Sequence, residues 1–497
     1  MKRLRHTTLA VVILAATIAL LTPTPVEAIM PPTASVTGTF LGDVPGSASL
    51  ALNPSDSSTS AGLRVEFWRY EPGDGSYSST PAPFVWIQDS SGVWTESGIE
   101  PGTYRIEFVP VREDIGQGYW EPAGLARYLE TAPDVTLTAG QTFALGTVNL
   151  PPVVEDVSRL QGSDRFETAV TVSRAAHPGS PTAIDHPATV TPVVYLVDGL
   201  NYPDALSAGP AAAIQDGEIL LTSPTSLPSS TATELARLRP ERLIVVGGKS
   251  AISDGVAATA ADAAGITTPT NVVRLGGSDR YATAEAIVRD AFVPLSPGTQ
   301  TVIVATGRDY PDALSAGPAA SRLRAPVVIV DGTLPELSGE TTTLLTDLMV
   351  NKIIIVGGEQ AVSTGIEAQL SSLSGATYPV QRIDGGDRFS TSIRLNEWAF
   401  PTTDRAFLAT GFNFPDALAG APLAARLGAP IALTRPECLD AGGYVVLRNG
   451  HANGAVLLGG PAALSSAIGS LVNCGDIDAP SYTVSGEPVP LSIPGPQ

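Results

Sequence analysis

The apolar positions of this chain change rhythm near residue 150. Between residues 31 and 150, hydrophobic and polar residues alternate in short runs, LRVEFWRY, FVWIQD, TYRIEFVPV, DVTLTAG and FALGTVNL, broken by Gly, Pro, Ser and Asp. A period of two puts every second side chain on one face, so these runs predict the strands of a small antiparallel β-sandwich. Beyond the proline-rich linker NLPPVVEDV the apolar runs become continuous: VVYLVDG, TVIVATG, AFLATG. They alternate with stretches of helical spacing, such as Ala169, Val170 and Val172, or Ala284, Ile287 and Val288. Strands apolar on both faces need cover on both, which predicts parallel α/β sheets wrapped by helices.

Three elements recur there in one order. RLQGSDRFETA, RLGGSDRYATA and RIDGGDRFSTS begin at Arg159, Arg274 and Arg382. GLNYPDALSAGPAA, GRDYPDALSAGPAA and GFNFPDALAGAPLA begin at Gly199, Gly307 and Gly411. RLIVVGGKSAIS, KIIIVGGEQAVS and GAVLLGGPAALS carry Gly pairs at 247/248, 357/358 and 459/460. A period of roughly 100–115 residues is a domain length, well above that of solenoid repeats. The chain therefore divides into a β-sandwich (31–150), modules at 156–267, 271–376 and 379–475, and a Pro- and Ser-rich tail (476–497) expected to be disordered.

In the second element, proline suits a first helical position, and Asp204, Asp312 and Asp416 then fall in the first turn. There a carboxylate gains about 0.3–1 kcal/mol from the helix dipole, so no ligand is needed to explain it; direct ligand contact is the other reading. Tyr310, before the proline, is expected to be extended. Gly209 and Pro210, Gly317 and Pro318, and Gly420 and Pro422 stand inside the same helix. Such prolines should kink or restart it, and the glycines allow close approach, which suits a module junction or a surface kink. Asp164, Asp279 and Asp387 are candidate N-caps. Arg165, Arg280 and Arg388 either pair within their own module or offer a planar donor to phosphate or carboxylate. The turns Gly247-Gly248, Gly357-Gly358 and Gly459-Gly460 either serve chain reversal alone or present backbone N–H groups to an anion at the carboxyl edge of a sheet.

A net charge of −20 argues against nucleic acid or anionic membrane as partners. Enzyme signatures are missing: His6, His177, His186 and His451 share no repeat position, there is no Gly-x-Ser-x-Gly, and Asp198 becomes Thr306 and Thr410 in the later modules. No catalytic residue, metal site or cofactor is expected. MKRLRH, then TLAVVILAATIALL, then Val26-Glu27-Ala28 read as a signal peptide over residues 1–28, an uncleaved anchor being the alternative. Export makes Cys438 and Cys474 an expected disulfide.

In sequence, residues 156–475 resemble three copies of the cell-wall-binding repeat type 2, found as tandem triplets in surface proteins of Gram-positive bacteria. GGSDRYATA, GRDYPDALSAG and IIIVGGEQAVS carry the resemblance. It implies a Toprim-like fold for each module, a pseudo-threefold arrangement, and non-covalent attachment to an anionic wall polymer or peptidoglycan at the module junctions. Arg165, Arg280 and Arg388 are the residues it transfers to that role. The run from Gly75 to Phe108, with its hairpin Gly98 to Tyr104, resembles carboxypeptidase regulatory-like (transthyretin-like) domains, which implies a spacer or adhesion module. Two departures stand out: the chain is acidic, and the first module carries the insertion GSPTAIDHPATVTP, so the three sites need not be equivalent. The expectation is an exported, non-enzymatic protein of the cell wall or surface. The alternatives are a peptidoglycan hydrolase of amidase type with an unrecognised site, though no residues are left over for a separate amidase domain, and an adhesin acting through the sandwich.

Overall fold

The computed structural model describes, with short gaps, strands between residues 34 and 148 and the segments 154–178, 191–295, 301–373 and 380–474. The signal sequence, all but the last two residues of the first-module insertion, and the tail lie outside the described residues. The N-terminal strands are β1 (Ala34–Phe40), β2 (Leu63–Glu71), β3 (Ser76–Tyr77), β4 (Phe84–Ile87), β5 (Val93–Ile99), β6 (Gly102–Pro110), β7 (Gly118–Glu121), β8 (Gly124–Ala126), β9 (Val135–Leu137) and β10 (Thr142–Val148). They form a three-stranded sheet, β10-β1-β5, and a larger one centred on the antiparallel pair β2 and β6. Val65, Phe67, Tyr104, Ile106 and Phe108 are buried, with Phe67 and Tyr104 in edge contact at 6.3 Å. The expected alternation of buried and exposed positions is not kept: Glu66 and Glu107 between them are buried too, Glu107 accepting from the Trp68 indole N–H at 2.8 Å.

The repeat region opens with β11 (Asp156–Leu160) and α1 (Arg165–Ala176). The first module continues through β12 (Val193–Asp198), a 3₁₀ turn (Pro203–Ala205), α2 (Ala208–Ile214), β13 (Glu218–Thr222), α3 (Ser229–Leu238), β14 (Arg242–Val246) and α4 (Asp254–Ala264). The second comprises β15 (Val272–Leu275), α5 (Arg280–Phe292), β16 (Thr301–Thr306), α6 (Pro311–Arg322), β17 (Val327–Val330), α7 (Gly339–Asp347), β18 (Lys352–Val356) and α8 (Thr364–Leu373). The third comprises β19 (Gln381–Ile383), α9 (Arg388–Ala399), β20 (Arg405–Thr410), α10 (Pro415–Arg426), β21 (Ile431–Thr434), α11 (Ala441–Asn449), β22 (Gly454–Leu458) and the short α12 (Ser466–Gly469). Every residue of β12, β17, β21 and β22 is buried, as continuous apolar strands require.

The sheets do not follow the repeat boundaries. Their orders are β13-β12-β14-β15, β17-β16-β18-β19 and β21-β20-β22-β11, all parallel. The lead strand of the second repeat thus completes the first sheet, and that of the third completes the second. β11, the lead strand of the first repeat, completes the third, with Leu160 opposite Leu458. Strand donation runs in a closed circle.

Helices α2, α6 and α10 pack against one another where the three modules meet. A Cβ built on Gly209 would lie 3.0 Å from the Ala421 methyl, and one on Gly317 3.7 Å from it, with Pro210 at 4.0 Å. Gly420 differs from the other two glycines. The third repeat reads Gly-Ala-Pro where the others read Ala-Gly-Pro, so Ala421 takes the axial position. Gly420 instead faces its own sheet, where a Cβ would meet Leu458 at 2.4 Å. The helices α6 and α10 run through Pro318 and Pro422 without interruption, and their first residues are Pro311 and Pro415. In the first module the element splits into turn and helix, and the hydroxyl of Ser207 between them donates to the carbonyl of Val327 in the second module. Tyr310 is helical rather than extended (φ −97°, ψ −24°), because its carbonyl accepts the first helical bond from Leu314 N–H at 2.9 Å.

Candidate functional site at the module seams

Each seam joins one module's Pro-Asp-Ala-Leu element and Gly-Gly turn to the next module's Asp-Arg-aromatic helix. The helix starts are set by Asp164, Asp279 and Asp387, whose carboxylates accept first-turn N–H groups. The aromatic residue that follows lies under the glycine ending the inner strand. A Cβ on Gly199, Gly307 or Gly411 would stand 2.9, 2.7 or 2.6 Å from the ring of Phe166, Tyr281 or Phe389. That packing brings the neighbouring arginine to the same turn. Nη1 of Arg165, Arg280 and Arg388 donates to the carbonyl of Gly199, Gly307 and Gly411 at 2.7, 2.8 and 2.9 Å.

One guanidinium nitrogen is therefore spent inside the module, and the charge faces the seam. Arg388 Nη2 lies 3.3 Å from Asp309 Oδ2 of the second module, and its guanidinium is over the Tyr310 ring. Arg280, Arg388 and Arg165 each act electrostatically on the Pro-Asp-Ala-Leu carboxylate of the preceding module, namely Asp204, Asp312 and, across the ring closure, Asp416. Burial outweighs that attraction. It raises the Asp312 and Asp416 carboxyls to about 6, and it raises Asp204 as well, against the opposing Thr283 hydroxyl bond and Arg280.

The Gly-Gly turns are shaped around these carboxylates. Gly247, Gly357 and Gly459 have φ of +92°, +109° and +102°. A Cβ at any of them would also lie 2.6, 2.5 or 2.3 Å from Oδ2 of Asp204, Asp312 or Asp416. Their N–H groups continue the ladder to the donated strand, bonding the carbonyls of Leu275, Ile383 and Leu160 at 2.7, 2.9 and 2.9 Å. Their own carbonyls accept from Nη1 of Arg274, Arg382 and Arg159 at 3.0, 2.7 and 2.8 Å. The first glycine of each pair thus has no N–H left for an anion. The amides of Gly248, Gly358 and Gly460 have no hydrogen-bond partner among the described residues. This second set of arginines is the first letter of each RL or RI element, and its signal in the sequence is that repetition alone.

Other positions also resolve by comparing copies. Asp198, Thr306 and Thr410 do one job: each accepts the N–H two residues on, at Leu200 (2.9 Å), Arg308 (3.2 Å) and Phe412 (3.2 Å). Among the described residues no group of three His, Cys, Asp or Glu could hold a metal ion. Cys438 and Cys474 form a disulfide. The seam between the third and first modules carries a network that sequence reasoning missed. Arg322 lies over the Phe400 ring at 5.4 Å between the second and third modules. At the corresponding place Arg426 meets His177 (3.0 Å), Asp216 (3.0 Å) and the fully buried Glu218 (3.7 Å). His177 Nε2 is also 2.9 Å from Glu218. That nitrogen can donate to the carboxylate or accept from the guanidinium, not both at once. Burial raises the Glu218 carboxyl's pKa, opposed by His177 and Arg426.

A family model described as cell wall binding domain 2 (CWB2) matches residues 159–257, 274–367 and 382–469. The chain belongs to the CWB2 family. Each CWB2 match begins at the arginine that pins the preceding module's Gly-Gly turn, Arg159, Arg274 or Arg382. Two curated relatives come from Bacillus subtilis (strain 168). N-acetylmuramoyl-L-alanine amidase LytC is 27% identical over 312 residues, 63% of this chain and 57% of the relative. Amidase enhancer is 24% identical over 311 residues, 62% of this chain and 39% of the relative. The chain thus spans about half the length of the curated relatives it matches, and both matches fall on the wall-binding region. Among solved structures, Cwp6 from Clostridium difficile superposes with a TM-score of 0.56 at 22% identity, covering 84% of this chain and 64% of that one. Cwp8 from the same organism gives 0.55 at 21% identity, covering 82% and 63%. At such identities the likeness is one of fold. It fits three α/β modules of the CWB2 kind.

Proposed function

We propose that this is an exported, non-enzymatic protein held on the Gram-positive cell wall by its CWB2 triplet, which binds an anionic wall polymer at the module seams. The observation that carries the reading is the circular set of arginines, Arg165, Arg280 and Arg388. Each is fixed by a glycine carbonyl in its own module and turns its charge on the seam with the preceding module. A pre-positioned guanidinium offers an anion planar donors at little entropic cost. In this reading the modules are Toprim-like, residues 1–28 direct export, and the N-terminal strands form a carboxypeptidase regulatory-like sandwich held away from the wall. The overall charge of −20 makes attraction local to the seams rather than general. Retention on purified walls, before and after chemical removal of phosphate-linked polymers, tests the proposal. Binding should fall sharply on stripped walls, and equal retention would refute the anionic-polymer part. A second reading is a wall hydrolase: the amidase relative shares the wall-binding region with this chain, and clearing of peptidoglycan in a zymogram would favour that reading.

A further inference from the structure

The carboxyl-edge mouths of the three sheets share a backbone and differ in two flanking side chains. One follows the glycine that ends the inner strand, and the other follows the outer strand paired to it. The first module has Leu200 and Ser223 there, the second Arg308 and Asp331, the third Phe412 and Arg435. In the second module the two neutralise each other, with Arg308 Nη1 at 3.4 Å from Asp331 and 3.2 Å from the Thr333 hydroxyl. In the third, Phe412 is 54% exposed and leans on Phe389, with ring centroids 5.6 Å apart. The exposed Arg435 guanidinium covers the Phe389 ring at 5.1 Å and forms no ion pair among the described residues. The acid whose charge it feels, Asp387, is committed as the cap of α9, accepting from the Ser390 amide at 2.8 Å and hydroxyl at 2.7 Å.

A lone exposed aromatic is ordinary on a protein surface. Here the exposed ring and a guanidinium without an ion pair both lie against Phe389, on a chain of charge −20, which brings a stacking surface and a local positive charge to one mouth. The C–H face of a pyranose fits an aromatic plane, and a carboxylate or phosphate on that sugar fits a guanidinium. We propose that Phe412 and Arg435 select an acidic sugar residue of the wall polymer, making the third module's mouth the specificity-determining one of the three. The proposal rests on the wall-binding reading above.

The test is co-sedimentation of the full chain with purified Gram-positive walls, comparing wild type with Phe412→Ala, Arg435→Gln, Leu200→Ala and the double variant Phe412→Arg/Arg435→Asp. The double variant installs the ion pair already accommodated in the second module, and thermal melts check that each variant folds. Phe412→Ala and Arg435→Gln should each weaken binding at least about fivefold and the double variant more, with Leu200→Ala within about twofold of wild type. The Arg435→Gln curve should also lose part of its salt dependence. Wild-type binding with unchanged Phe412→Ala and Arg435→Gln would overturn this inference alone. Absence of wild-type binding would overturn it together with the wall-binding reading. Repeating the series on walls freed of phosphate-linked polymer assigns the acid: a persisting difference means a carboxylate sugar, and an abolished one a phosphorylated sugar.

Discussion

Arg159 donates Nη1 to the carbonyl of Gly459, 2.8 Å away across 300 residues of chain. Its Nη2 reaches the carbonyl of Ser465 at 3.2 Å. The first strand of the triplet is thereby locked to the turn that ends β22, in the same way as Arg274 and Arg382 lock the other two.

Ring closure should be measurable. Arg159→Ala leaves two largely shielded carbonyls without their donor, and stability should fall by about 1–3 kcal/mol in denaturant titration. Deleting Asp156–Leu160 exposes an edge of β22 and should produce concentration-dependent oligomers in light scattering. A monomer of unchanged melting temperature would contradict the closed circle.

The third module ends differently from its neighbours. α12 has 4 residues where α4 has 11 and α8 has 10, and the Cys438–Cys474 disulfide ties down the segment that follows it. The bond spans 36 residues, so on the chain-entropy account replacing both cysteines by alanine should cost about 3–4 kcal/mol. Calorimetry with and without a phosphine reductant should show the same loss in the wild type and none in the double variant.

Stability should respond to acid in an unusual direction at the seams. Asp312 and Asp416 titrate near 6 in the fold against 3.8 in the unfolded chain, so between those values the folded state holds protons the unfolded state has released. Their contribution is fullest below about pH 4, declines as pH rises to about 6, and is level above. Asp312→Asn and Asp416→Asn should each raise stability at pH 7 by about 1–3 kcal/mol and change little at pH 4. Melting temperatures at the two pH values decide it, and equal shifts at both would contradict the assignment.

The same substitution should have opposite effects in two equivalent helices. At Gly317 a Cβ finds its nearest neighbour at 3.7 Å, ordinary contact, so Gly317→Ala should be neutral or stabilising by up to about 1 kcal/mol. At Gly420 it would meet the fully buried Leu458 at 2.4 Å, and Gly420→Ala should cost about 1–3 kcal/mol. Chemical denaturation of the two variants is sufficient.

Much of this was legible in the sequence because repetition marks what the backbone requires. The glycine pairs, the prolines at Pro311 and Pro415 and the capping aspartates all stand where local chemistry puts them. What was hidden was partnership between elements far apart. RLQ at Arg159 reads as a strand end, yet nothing local says that its sheet belongs to the third module. Glu218 begins the buried strand EILLT, and an acid there was itself a signal. His177 has no counterpart in the other repeats, so repetition gives it no signal. The ring-closing seam differs from the others, so its residues are the ones that repetition cannot reveal.

The chain enters the triplet at Asp156, on the strand that completes the third module's sheet, and the Cys438–Cys474 disulfide lies in that third module. A pull transmitted from the N-terminal strands therefore loads β11 along its length against β22, across five paired residues in parallel register. Force in that direction shears the ladder bonds together instead of opening them one by one. The strand that closes the circle is also the one that would bear the mechanical load of a tethered domain.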